Sequence, residues 1–123
     1  MDDNLRKQRF LVIEDEMLVL LMIEDMLGDL GCQVVASAAT AEQALELIAT
    51  QPFDGALLDM NLNGDKSDKV AQALAARGVP FIFCSGSSAL DVTAEFQDRP
   101  FLHKPFGFAE LAEALAKLNL PPA

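Results

Sequence analysis

The chain has 123 residues, 51% of them hydrophobic, which is one domain's length with apolar material for one shared core. Lys and Arg number 9 against 19 Asp and Glu, and the formal net charge of −10 argues against direct nucleic-acid binding, which demands a basic face. No apolar run reaches membrane-spanning length, and Met1 to Gln8 is polar and charged, unlike a signal peptide; a soluble cytoplasmic protein is expected, one domain over residues 1–123 with its core at about 8–119.

Phe10 to Ile13 is a short apolar run ending in Glu14-Asp15-Glu16, the pattern of a buried strand that delivers acids at its C-terminal end. From Met17 onward, Val19, Ile23, Met26, Leu27 and Leu30 fall on one face of a helix that Gly31 stops. Gln33 to Ala36 reads as a second strand, and Thr40 with Gln43 as a capping box opening a helix through Ala44, Leu45 and Ile48. After Pro52, Asp54 to Leu58 is a third apolar strand that ends in another acid, Asp59, before the turn Asn61-Leu62-Asn63-Gly64. A helix through Val70, Ala71 and Leu74 ends at Gly78. Pro80 leads into the strand Phe81 to Cys84, and Ser85-Gly86-Ser87-Ser88 is loop chemistry. The weak pattern beyond allows only a short or mobile fourth helix around Asp91 to Phe96. Phe101 to His103 is the fifth strand, followed by Lys104-Pro105 and a last helix through Phe108, Leu111, Leu115 and Leu118. Largely apolar strands alternating with helices imply an α/β fold, a parallel sheet with helices on both faces. Cys32 and Cys84 match no zinc spacing and read as buried, reduced thiols.

Ligands of an open parallel sheet bind at the C-terminal ends of its strands, which gathers Glu14, Asp15, Asp59, Ser85 and Lys104 on one edge. Singly, each acid reads as a solvated strand cap. Jointly, three carboxylates repel one another around one ammonium, and a hard divalent cation resolves the conflict. Mg2+ suits it, because it takes oxygen ligands and often binds through one or two carboxylates plus a phosphate. A carboxylate can also act as a nucleophile and form an aspartyl-phosphate. Asp59 ends the central strand and is best placed for that role. Glu14 and Asp15 then form the metal's acidic pair, Lys104 meets the phosphoryl oxygens, and the Ser85 hydroxyl donates to another.

Glu14-Asp15, Asp59, Ser85 and Lys104-Pro105, in this order on successive strand ends, resemble the receiver domain of two-component response regulators, and the likeness covers almost the whole chain. The resemblance implies a flavodoxin-like, doubly wound five-stranded sheet in the order 2-1-3-4-5. It makes Asp59 the phosphoacceptor, Ser85 the switch hydroxyl, Phe101 the aromatic switch and Lys104 the invariant lysine. It also implies that the Asn61 main-chain carbonyl joins Asp15 and Asp59 on Mg2+, with Glu14 acting mainly through water, and that Lys104-Pro105 is cis. A sensor histidine kinase or histidine phosphotransfer protein would donate the phosphoryl group, and a downstream protein would read the switched face. A phosphoacceptor signalling domain is expected, not an enzyme. The chain departs from the family pattern in bearing Phe101 for the commoner tyrosine, Ser85 for threonine and no proline after Asp59. Pro80 to Gly86 resembles a subgroup with a Pro-Phe-x-Phe-Ala-Thr-Gly-Tyr motif, with Ser87 and Ser88 where that tyrosine would lie, and the stretch from Ser85 to Lys104 is about one helical turn shorter than usual.

Three rival readings have discriminating features. A degenerate receiver acting as a phosphorylation-independent adaptor would not need the acidic pair, the acceptor and the lysine together. A haloacid dehalogenase hydrolase needs a second aspartate at the position of Asn61. A flavodoxin would open a hydroxyl-rich phosphate loop after the first strand, where Glu14-Asp15-Glu16 stands. His103, adjacent to Lys104, is expected to be structural and to face away from the site, and Phe81, Phe83, Phe106 and Phe108 to be core.

Overall fold

The structure is a computed structural model that describes residues 5–62, 65–86, 96, 99–118 and 120. Along the chain run β1 (Arg9–Ile13), α1 (Met17–Asp29), β2 (Gln33–Ala38), α2 (Ala41–Thr50), β3 (Gly55–Asp59), the short β4 (Asn61–Leu62) and β5 (Asp65–Lys66), α3 (Asp68–Ala76), β6 (Phe81–Ser85), β7 (Phe101–His103) and α4 (Phe108–Ala116). Five strands form a parallel sheet in the order β2-β1-β3-β6-β7. Counted among themselves these are 2-1-3-4-5, the flavodoxin-like order expected. The helix anticipated around Asp91 to Phe96 lies outside the described residues, apart from Phe96 itself.

Successive strand residues point to opposite faces, and the central strands are apolar on both because helices cover both. Leu11, Ile13, Ala56, Leu58, Phe81 and Phe83 face α2 and α3, meeting Ala44, Ile48, Val70, Ala71 and Leu74. Phe10, Val12, Leu57, Ile82, Cys84 and Leu102 face α1 and α4, meeting Ile23, Leu27, Leu111, Ala114 and Leu115. Each such leucine or isoleucine contributes about 2 kcal/mol by leaving water. Leu5 and Leu120 extend the second core at both chain ends. Edge strand β2 instead exposes Gln33, Val35 and Ser37.

Helix ends follow local chemistry. Gly31 and Gly78 take φ of +88° and +71° just past α1 and α3, a region side-chain-bearing residues avoid. Gln43 N–H donates to Thr40 Oγ1 at 3.1 Å, and Gln43 Oε1 accepts from the Ala39 N–H at 3.0 Å, so the box closes one residue before the cap. Both cysteines are free and buried. Among the described residues no helix is long and apolar enough to cross a membrane.

Three local expectations are corrected. The third and fourth main strands run on to Asp59 and Ser85, because main-chain pairing of Asp59 with Cys84 and Ser85 with His103 continues past the last apolar side chain. Asn61–Leu62, expected as part of a turn, pairs antiparallel with Asp65–Lys66. Phe108 is 43% exposed at the start of α4, while Leu111 and Leu115 supply that helix's buried face.

Candidate functional site

Each putting-forward of a polar group at the sheet's C-terminal edge has a main-chain cause. The Glu14 N–H donates to the Ala38 carbonyl at 2.9 Å, fixing the acid where β1 and β2 part. Asp59 is the last residue of β3, and the next N–H, of Met60, donates to the Cys84 carbonyl of β6 at 3.1 Å. The Lys104 N–H donates to the Ser85 carbonyl at 2.8 Å, which sets the lysine beside the end of β6. The Lys104-Pro105 peptide is cis.

The side chains converge. Carboxylate oxygens of Glu14, Asp15 and Asp59 lie within 4.8 Å of one another. Lys104 Nζ stands 2.5 Å from Glu14 Oε1 and 3.3 Å from Asp59 Oδ2. Glu14 Oε2 accepts from the Glu16 N–H at 3.1 Å. Glu14, Asp59 and Ser85 are buried, and Asp15 is the more exposed member of the trio.

Burial pushes the Glu14 carboxyl above its ordinary range; the Lys104 ammonium and the Glu16 N–H pull it back, and the Asp59 charge pushes it further up. Burial would lower Lys104, but its bond to Glu14 and the Asp59 charge outweigh that and hold the ammonium firmly protonated. The Cys84 thiol behind them is pushed up by burial and stays neutral. Three acids facing one fixed ammonium leave an excess of negative charge on oxygen ligands, a donor set that fits a hard divalent cation. The acidic cluster can hold a metal ion.

The five residues singled out at the strand ends are therefore brought to one edge, and Asn61 follows Asp59 by two residues in β4. Phe101 is half-buried on β7, packed against the core on the α2/α3 face. His103 is exposed and meets the Phe101 ring edge-on, centroids 5.6 Å apart, because residues two apart on a strand share a face. It lies on the face of β7 opposite to Leu102, as an exposed surface group. Residues 87–95, on which the expected switching segment largely falls, lie outside the described residues.

Sequence reasoning missed Ser67. Its hydroxyl donates to the main-chain carbonyl of Asp59, and it is buried. A serine just before a helix reads as an N-cap, and no spacing in the chain marks the contact with a residue eight positions earlier.

A family model described as the response regulator receiver domain matches residues 10–116. The solution structure of SdrG from Sphingomonas melonis Fr1 is 43% identical, covers 94% of this chain and 97% of that one, and superposes with a TM-score of 0.81. A structure of the BeF3-activated conformation of SdrG is 42% identical with a TM-score of 0.78, over 94% and 97% of the two chains. The receiver domain of PhyR from Erythrobacter litoralis is 28% identical over 96% of this chain and 97% of its own, with a TM-score of 0.78. The transcriptional regulatory protein PdtaR of Mycobacterium tuberculosis is 26% identical over 112 residues, 88% of this chain and 55% of the relative. The chain thus spans about half the length of the curated relatives it matches.

Proposed function

The chain belongs to the response regulator receiver domain family of two-component signal transduction, and we propose that it accepts a phosphoryl group on Asp59 from a histidine kinase or phosphotransfer protein. One observation carries this reading: three carboxylates within 4.8 Å of one another, with an ammonium 3.3 Å from the oxygen of the one that ends the central strand. Glu14, Asp15, Asp59 and the Asn61 carbonyl would hold Mg2+. When bound, the ion screens Asp59 from the incoming phosphoryl group and stabilises charge on its oxygens.

The remaining work falls to this chain's own residues. An Asp59 oxygen attacks phosphorus, the P–N bond to the donor imidazole breaks, and the imidazole nitrogen keeps the electron pair and takes a proton. Lys104, held protonated, swings its charge from Asp59 to the transferred oxygens, and Ser85, at the end of β6, donates its hydroxyl to another. That SdrG, 42% identical to this chain, has a BeF3-activated conformation supports this reading. Phe101, half-buried at the neighbouring strand, is the side chain that responds when Ser85 moves. The groove beside it, about 310 Å³ and lined by Phe101, His103, Glu110, Glu113 and Lys117, is the surface a downstream protein reads. This is the work of a signalling domain in the cytoplasm. Incubation with acetyl phosphate and Mg2+ should add one phosphoryl group, seen by intact mass, and excess chelator should prevent it; undiminished uptake in chelator would refute the metal's part.

The donor's docking place is marked by α1. Met17, Leu18, Leu21 and Met22 are 65%, 82%, 53% and 39% exposed, a run of large apolar side chains that begins two residues beyond Asp15. Exposed apolar patches of this kind mark protein contacts, and a helical donor pair fits such a stripe. Leu18→Glu should therefore slow transfer from the cognate histidine donor by more than about tenfold, the loss of one interface anchor. Phosphorylation by acetyl phosphate should be unchanged. An equal loss with both donors would show that the variant damages the site instead of the docking face.

A further inference from the structure

Among the described residues five polar side chains are buried, Gln8, Glu14, Asp59, Ser67 and Ser85, and the reading above uses only three. Ser67 is the one of the other two that touches the acceptor. It sits at the N-cap position of α3, yet its φ of −85° and ψ of 10° are not those of a cap, and its side chain makes no capping bond. Its hydroxyl instead donates to the Asp59 carbonyl, while its N–H donates to the Met60 carbonyl at 3.2 Å. The Ser67 carbonyl still accepts from the Ala71 N–H at 2.9 Å and so opens the helix. From the other side, the Met60 N–H is held by Cys84 of β6 at 3.1 Å. Between these anchors runs the β4–β5 ribbon, Asn61 opposite Lys66 and Leu62 opposite Asp65. The loop after the acceptor is thus closed on itself at its base, by a side chain that gives up a helix cap to do so.

We propose that Ser67 is a positioning residue, whose bond to the Asp59 carbonyl fixes the Asp59–Asn61 main chain and so sets the Asn61 carbonyl for a divalent cation. A metal ligand on a main chain has no rotamer to lock it; its orientation is that of the peptide units on either side. Groups that orient a ligand from behind commonly govern affinity by tenfold or more. The inference rests on the reading of Asp59 and Asn61 given above.

The test is a Mg2+ titration followed by amide NMR shifts in wild type, Ser67→Ala and Ser67→Thr, with no phosphodonor present. Ser67→Ala is expected to bind Mg2+ about tenfold more weakly, the lower end for a lost orienting bond, with Ser67→Thr, which keeps the hydroxyl, near wild type. Phosphate uptake at saturating Mg2+ should then be close to wild type in both, a split that general damage to the fold would not give. Equal Mg2+ affinity in wild type and Ser67→Ala overturns the proposal. So does a Ser67→Thr that retains the defect, or a Ser67→Ala that no longer folds, since the clasp would then be structural. Failure of the underlying reading looks different: the wild type itself would take up no phosphate.

Discussion

Asp59→Asn is expected to abolish phosphate uptake while leaving the fold intact. Asparagine has the shape of aspartate, but its neutral amide has no oxygen that can act as the nucleophile, so the covalent step is lost and not merely slowed. The fold should survive because the other contacts of the site remain: Lys104 keeps Glu14 at 2.5 Å when its 3.3 Å partner loses charge. Removing one of three crowded acids also relieves repulsion, and Glu14, which the Asp59 charge pushes upward, should ionise more readily. Intact mass after incubation with acetyl phosphate and Mg2+, alongside thermal unfolding, measures both halves. A variant that gains phosphate at the wild-type rate would mean that another residue is the acceptor.

Lys104→Met is expected to have the largest effect on stability. The ammonium pairs with both Glu14 and Asp59, and the Glu14 side chain is 1% exposed. Removing one partner of a buried pair strands the other charge, at a cost of about 3 kcal/mol. The pH dependence follows from the two shifts. Lys104 is raised above its ordinary 10.5, so its contribution is complete below that pH and is lost only as pH rises through the folded value. At neutral pH the whole contribution is therefore at stake. Glu14 is raised above its ordinary range, so the folded state favours its protonated form, and in the variant the stranded charge disappears as pH falls through that raised value. The deficit should be full at pH 7 and shrink in acid, and millimolar Mg2+ should restore part of it. Urea unfolding of both proteins across this range decides the matter; a deficit independent of pH would mean that packing of the lysine stem, and not charge, is what the substitution removes.

Much of this protein was legible in its sequence, for a definite reason. Strand and helix periods are local, so Phe10–Ile13, Phe81–Cys84 and the Ile23-Leu27 face declared their elements, and Gly31 and Gly78 their ends. Apolar runs on both faces of the strands required a covered parallel sheet, and a covered parallel sheet brings its strand ends together; Glu14, Asp15, Asp59, Ser85 and Lys104 could be gathered before any distance was known. Strand order came from resemblance to a family, since period alone does not say which strand lies beside which. What only the tertiary structure decided depends on contacts between chain-distant or irregular groups. Phe108 reads as core from its spacing, but α4 buries Leu111, Ala114 and Leu115, and Phe108 in its first turn is left 43% exposed. His103 shares its face with Phe101 on β7, the edge strand of the sheet among the described residues. Ser67 looks like any helix cap until the β4–β5 ribbon folds back and puts its hydroxyl on the Asp59 carbonyl, because a hydrogen bond is chosen by which acceptor the fold brings within reach, and sequence spacing carries no record of that choice.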